Sequence, residues 1–346
     1  MKTKIKKYFE KLNPEKIDLK NRIKVKSVKK IGMGSSNSNF LVLVNGKKFV
    51  FRMNMHPEDK DKIRKEFEAL KIVEKTGIAP RVFVLDESRK DFDSDFLILE
   101  YLEGKTADKI KPYFNENLLK NLANLLVEIH SVKITGKLKN LEINKKNLSF
   151  KRQIKHLDSF YIDYIKKYVK NREFLEMLKE TMGNLKRSYK KDMKMEKVLS
   201  QGDFSEENIV ISGRKYSLID FESLGISSRS AEIAFVFVTF GQRPFNKNER
   251  DIFLKEYVKS SKISKAKEKK LNEKIGLWRQ IMQFLIFLWG FKHALRVKNR
   301  YFHSHFIKNS NLKKEINYAK KVFMNCLDIG VIDEEFKELK IDKIIK

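Results

Sequence analysis

The chain has 346 residues, and 41% of them are apolar, enough for about two domains with a sizeable core. Gly 14 and Pro 5 exclude collagen-like and Pro/Gly-rich disordered chains, and the single cysteine, Cys326, excludes a disulfide framework or a multi-cysteine zinc site. Charged residues reach 35%, with 75 basic against 45 acidic, net +30; a field of that sign attracts polyanions such as RNA, phosphorylated ligands or anionic membrane, and a general lysine bias gives it too.

The charge is unevenly placed. Residues 1–30 carry net +9, 151–200 net +7 and 251–300 net +9. Residues 31–100 are neutral and 201–250 carry net −1. These two balanced stretches hold the motif-like residues. The opening MKTKIKKYFEKL has no apolar signal-peptide core. The most apolar segment, Ile281–Phe291, is shorter than the roughly 20 residues a bilayer span needs, so it reads as a buried helix. With one cysteine, that makes a cytoplasmic chain the expectation.

Val25, Val28 and Ile31 open a strand that leads into a Gly/Ser/Asn turn. Phe40–Val44 is an apolar run, Asn45-Gly46 is a hairpin signal, and Lys48–Met53 is the returning strand. Residues 58–76 have helical periodicity, with Ile63, Phe67, Leu70 and Val73 on one face. Arg81–Leu85 and Phe96–Tyr101 read as strands. A small antiparallel sheet with one helix is therefore expected up to a boundary near residue 102. Beyond Gly104 come a helix at Leu118–Ile129 and a basic, mostly helical stretch at 151–190. Short strands follow at 198–199, 209–211 and 216–219, and helices continue to the end.

Three places could carry chemistry. The turn Gly32-Met33-Gly34-Ser35-Ser36-Asn37-Ser38-Asn39 would let backbone N–H groups approach a phosphate. It lacks the Gly-Lys-Ser/Thr ending of a P-loop, and Asn37 stands where a dinucleotide fingerprint has its third glycine. It also reads as an ordinary hairpin loop. Arg52 on the returning strand could reach back to a phosphate, with Glu66 on the next helix holding it; the plain alternative is a surface ion pair. The most informative run is Gln201-Gly202-Asp203-Phe204-Ser205-Glu206-Glu207-Asn208, followed by Asp220-Phe221-Glu222. A hairpin would bring Asp203, Asn208 and Asp220 to one end. Hard cations take oxygen ligands, which Asn208 and Asp220 supply, and Asp203 is left to accept a proton from a hydroxyl. That division of labour matches the template of phosphoryl transfer.

The ordered set resembles the aminoglycoside phosphotransferase and choline kinase family. It comprises the Gly/Ser loop, Phe49-Val50-Phe51-Arg52, Lys65–Leu70, Gly77–Pro80, Leu97–Gly104, Leu122–His130, the Asp203/Asn208 loop, Asp220-Phe221-Glu222 and Glu232-Ile233-Ala234. The resemblance covers roughly residues 25–240. It implies an α+β, bilobal protein kinase-like fold: a nucleotide-binding lobe at 1–102 and a larger helical catalytic and acceptor-binding lobe at 103–346. It implies an ATP- and Mg2+-dependent kinase acting on a hydroxyl of a small molecule. Gly32, Gly34, Ser35 and Ser36 would cover the ATP phosphates, and Arg52 with Glu66 would bind them. The backbone at Glu100 and Leu102 would meet adenine. Asp203 would be the base, Asn208 and Asp220 the metal ligands, and Glu222 the support of a second Mg2+. Gln201 and Glu232 depart from the family's usual His and Asp. A kinase acting on RNA and a non-catalytic nucleotide-binding protein are the alternatives. His303 and His305 read as surface histidines, His130 as a helix cap, Trp278 and Trp289 as core or acceptor-pocket aromatics, and Lys262–Lys274 as a solvated helix face.

Overall fold

The computed structural model describes all residues except 34–36, 57–60, 111–114, 135–144, 190–192, 241–242 and 301–310. The elements up to residue 130 are α1 (Lys2–Lys11), β1 (Val25–Met33), β2 (Asn37–Val44), β3 (Lys47–Asn54), α2 (Lys62–Val73), β4 (Val82–Asp86), β5 (Phe96–Glu100), β6 (Lys105–Thr106) and α3 (Glu116–His130). They are followed by α4 (Phe150–His156), a π-helical stretch (Leu157–Ile162), α5 (Asp163–Tyr168), α6 (Arg172–Ser188), β7 (Lys197–Ser200), β8 (Ile209–Ser212), β9 (Lys215–Leu218) and β10 (Gly225–Ser228). The chain closes with α7 (Arg229–Thr239), α8 (Lys247–Ser260), α9 (Lys265–Lys298), α10 (Leu312–Asp328) and α11 (Ile341–Ile345). These elements form two compact units: Met1–Leu141 with Gln201–Leu224, and Glu142–Ser200 with Gly225–Lys346.

The first unit holds the expected antiparallel sheet, in the order β1-β2-β3-β5-β4. Asn45 and Gly46 both take positive φ in the β2–β3 hairpin, as a two-residue turn of that type requires. Alternate residues of β2 and β3 are buried, including Phe40, Val42, Val44, Phe49 and Phe51. Helix α1 covers this apolar face. It lies in the most basic block of the chain, yet Ile5 and Phe9, four residues apart on one helix face, are fully buried. The Phe9 ring meets Phe49 at 6.3 Å and Phe51 at 6.5 Å. The N-terminal segment is thus part of the core rather than a charged extension. A second small sheet, β6-β8-β9, carries the loop between Gln201 and Asn208 at its edge.

The second unit is mainly helical. The apolar segment expected as a buried helix is the middle of α9, a helix of 34 residues. Trp278 is fully buried against Phe150, with ring centroids 4.7 Å apart, and Phe291 stacks on Phe174 at 4.6 Å. Trp289 instead is about half exposed, and its ring stacks on His293 at 5.3 Å. The lysines at the start of α9, Lys265, Lys267, Lys269 and Lys270, are exposed, as expected of a solvated face. Cys326 is buried, its thiol donating to the Gln283 carbonyl at 3.6 Å. His130 is buried at the end of α3, where the backbone N–H of Ser131 also closes the helix. His303 and His305 lie outside the described residues. Among the described residues, no helix is long and apolar enough to cross a membrane.

Candidate active site

The loop between β7 and β8 is shaped by two residues. Gly202 has φ +86°, and a Cβ there would stand 2.3 Å from the Ser223 carbonyl oxygen, so only glycine fits. Gln201 is buried. Its Nε2 donates to the carbonyls of Ile219 (3.2 Å) and Asp220 (2.6 Å), and its Oε1 accepts the Asp203 N–H at 2.8 Å. One carboxamide therefore ties the Asp203 backbone to the end of β9. This is what stands in place of the family's histidine. The Glu232 side chain is also buried, in the first turn of α7.

Asn208 donates through Nδ2 to Asp203 twice, to its carbonyl at 3.0 Å and to Oδ2 at 2.8 Å. That leaves Asn208 with its carbonyl-type Oδ1 for other partners. The Ile219 N–H donates to the Asn208 carbonyl at 2.9 Å, which brings the loop and the β9 end together. Asp220 itself sits in the left-handed region, φ +62°, a conformation that aspartate tolerates better than most residues and that recurs where a side chain must be aimed. The Asp203 pKa is raised, first by the protein packed around it and next by the charge of Asp220; the Asn208 hydrogen bond pulls the other way.

Arg52 joins the sheet to these acids. Its Nε donates to Glu66 Oε2 at 2.8 Å and its Nη2 to Asp220 Oδ1 at 2.8 Å, with Glu222 Oε2 3.8 Å away. Both Arg52 and Glu66 are buried. This is an internal ion pair and not the surface pair that the spacing alone allowed. Burial pushes the Glu66 pKa up to about 7 against the pull of Arg52. Glu222 is held by two groups that the sequence did not connect with it. Asn37 Nδ2 donates to its Oε2 at 3.0 Å, and the Lys62 ammonium lies 3.3 Å from the same oxygen. Asn37 is 185 positions from Glu222, so no local signal could have paired them.

Beside Arg52 and Asp220 opens a cavity of about 530 Å³, within the roughly 300–1,000 Å³ usual for small-molecule and cofactor sites. Ile31, Val50, Leu99 and Leu102 give it an apolar end, while Arg52, Asn208 and Asp220 make the other end polar. Glu100 and Leu102 both line it, and Glu100 spends its amide on the Arg81 carbonyl at 2.8 Å. Gly32 lies in β1 opposite Asn39, whereas Gly34, Ser35 and Ser36 are outside the described residues. Asn208, Asp220 and Glu222 offer oxygen donors only, the set that a hard divalent cation takes. The buried Oδ1 of Asn37, whose Nδ2 donates to Glu222, has no hydrogen-bond partner among the described residues. In the second unit, Glu180, Asp333 and Glu335 form another acidic group; surface carboxylates cluster this way without any ion.

The model of the phosphotransferase enzyme family matches residues 27–267, a range that contains all of these site residues. The chain belongs to this family. No curated protein matches it significantly. Among solved structures, the choline kinase of Cryptosporidium parvum Iowa II is 16% identical, with a TM-score of 0.63 over 97% of this chain and 96% of that one. The Plasmodium vivax ethanolamine kinase is 17% identical, with a TM-score of 0.61 over 91% and 85%. The GDP complex of wild-type aminoglycoside 2'-phosphotransferase-IIIa is 15% identical, with a TM-score of 0.62 over 93% and 97%. At these identities the likeness establishes the protein kinase-like fold, as the motif order implied. The antiparallel sheet followed by a mostly helical remainder is that fold's pattern in this chain.

Proposed function

We propose that the chain is an ATP- and Mg2+-dependent kinase that transfers the γ-phosphate to a hydroxyl of a small molecule. The observation that carries this reading is the convergence of Arg52, Asn208 and Asp220 on one cavity, with Asp203 hydrogen-bonded to Asn208, in a chain of the phosphotransferase family. On this reading residues 1–102 are the nucleotide-binding lobe and 103–346 the catalytic and acceptor-binding lobe. The adenine would lie against Leu99 and Leu102, with backbone groups at Glu100 and Leu102 within its reach. Arg52, held by Glu66, would face the phosphates, and the turn at Gly32–Ser36 would cover them.

Mg2+, when bound, neutralises charge on the transferring phosphate. Asn208 and Asp220 would hold it, with Glu222 behind them. Asp203 would accept the acceptor's hydroxyl proton. The Asn208 Nδ2 bond to Oδ2 leaves the other carboxylate oxygen to face that hydroxyl and fixes its direction. The raised pKa makes Asp203 a stronger base than an ordinary aspartate. The basic excess of residues 251–300 favours a neutral or anionic acceptor over a cationic one.

The test is Asp203→Asn, assayed for ATP turnover across a library of hydroxyl compounds. Loss of a general base is expected to cost at least about 10²-fold in turnover. Turnover within a few-fold of the unaltered chain removes Asp203 from the role.

A further inference from the structure

Glu222 is surrounded by more positive charge than its place in the chain demands. Arg52 is already committed to Glu66 and Asp220. Lys62 is not: its ammonium contacts Glu222 Oε2 at 3.3 Å, and among the described residues it makes no other ion pair. Lys62 is also the first residue of α2, whose first turn holds no acid. A cation there works against the helix dipole, so helix formation does not explain it. Its side chain remains about one-fifth exposed, so the ammonium is at the edge of the site and not sealed in the core.

The pair Arg52 and Lys62 therefore acts as an internal counter-charge for Asp220 and Glu222. A divalent cation arriving at these carboxylates meets two positive groups already in place. A triphosphate arriving at Arg52 and Lys62 meets two carboxylates. Each ligand alone faces competition, and both together exchange partners: carboxylate to metal, ammonium and guanidinium to phosphate. The buried Asn37 carboxamide, donating to the same Oε2 at 3.0 Å, keeps Glu222 in place while Lys62 moves. A lysine suits this role, because its ammonium is a point charge on a flexible stem and does not depend on a fixed fork geometry.

We infer that Lys62 is a further phosphate-binding residue of the nucleotide site, and that it couples metal binding to nucleotide binding by leaving Glu222 for the phosphates. The inference rests on the kinase reading given above. Such coupling is reciprocal: metal improves nucleotide affinity and nucleotide improves metal affinity by the same factor.

The experiment uses the full chain with Lys62→Met and Lys62→Arg. Three affinities are read by titration: ATP with Mg2+, adenosine, and Mn2+ without nucleotide. In Lys62→Met, Mg-ATP affinity is expected to fall about tenfold, adenosine affinity to stay unchanged, and Mn2+ alone to bind several-fold more tightly. Lys62→Arg restores most of the Mg-ATP affinity. Adenosine binding on the same sample reports that the site is folded. Opposite signs for nucleotide and metal are the signature, since a merely structural lysine would weaken both. If the unaltered chain binds Mg-ATP and Lys62→Met binds it equally well, or loses adenosine to the same degree, the role of Lys62 is overturned and the kinase reading stands. If the unaltered chain binds no ATP at all, the kinase reading falls and takes this role with it.

Discussion

Two arginine–glutamate pairs in this molecule have the same chemistry and opposite consequences. In the first unit, Arg52 serves Glu66 and Asp220 at once, each at 2.8 Å, and burial lifts Glu66 to about 7. In the second, Arg243 grips Glu249 with two hydrogen bonds of 2.8 and 2.7 Å. Glu249 also accepts the Asn246 N–H at 2.7 Å in the capping box of α8. Burial works against the Glu249 charge here too, but these bonds outweigh it and its pKa is lowered. Glu249 accepts three hydrogen bonds, whereas Glu66 shares the Arg52 guanidinium with a second acid. The first arrangement finishes a helix. The second leaves one arginine shared between two acids at the candidate site.

The largest expected effect comes from removing the cations. Arg52→Met leaves buried carboxylates without a partner and is expected to cost about 3–5 kcal/mol in urea unfolding. Arg243→Met removes a guanidinium about half exposed to water, and is expected to cost about 1 kcal/mol or less. Equal losses would erase the distinction between the pairs. The next effect is in pH. The Glu66 pKa is raised in the fold from the ordinary glutamate value of 4.5 to about 7, so the folded state holds a proton that the unfolded chain has lost. Stability therefore falls as pH rises across that window, by up to about 3 kcal/mol at about 1.4 kcal/mol per pKa unit. Unfolding curves of Glu66→Gln collected across the window are expected to lose this slope; a slope that survives assigns it elsewhere. The smallest effect has the opposite sign. Glu249 has a lowered pKa, so its contribution is complete above about pH 4.5 and fades in acid. Glu249→Gln is expected to lose about 1 kcal/mol at pH 7 and progressively less below pH 4, read by the same unfolding curves.

The sheet was legible in the sequence because its strands announce themselves locally, through the Asn45-Gly46 turn and the apolar runs on either side. Helix α1 was not read. Its lysines dominate the count, and the signal that mattered was the spacing of Ile5 and Phe9 alone. Strands β6 and β10 are too short to show a period, and the π-helical stretch at Leu157–Ile162 has no sequence signature of its own. Among the candidate site residues, Arg52, Glu66, Asp203, Asn208 and Asp220 were named from motif order. The Asn37 and Lys62 contacts to Glu222 were not foreseeable, because each joins segments more than a hundred positions apart. The glutamine at 201 shows the limit in another way: its residue type departs from the family's pattern, yet its carboxamide bridges the two backbone segments that the loop has to join.

Cys326 has a practical consequence. It is the chain's one thiol, fully buried, hydrogen-bonded to Gln283, and desolvation pushes its pKa well above the usual thiol range. The thiolate that alkylating reagents attack is therefore scarce in the folded protein. The natural chain is therefore a suitable background for site-directed labelling, in which a single cysteine added at an exposed turn residue such as Arg214 would carry a probe with little competing reaction from within.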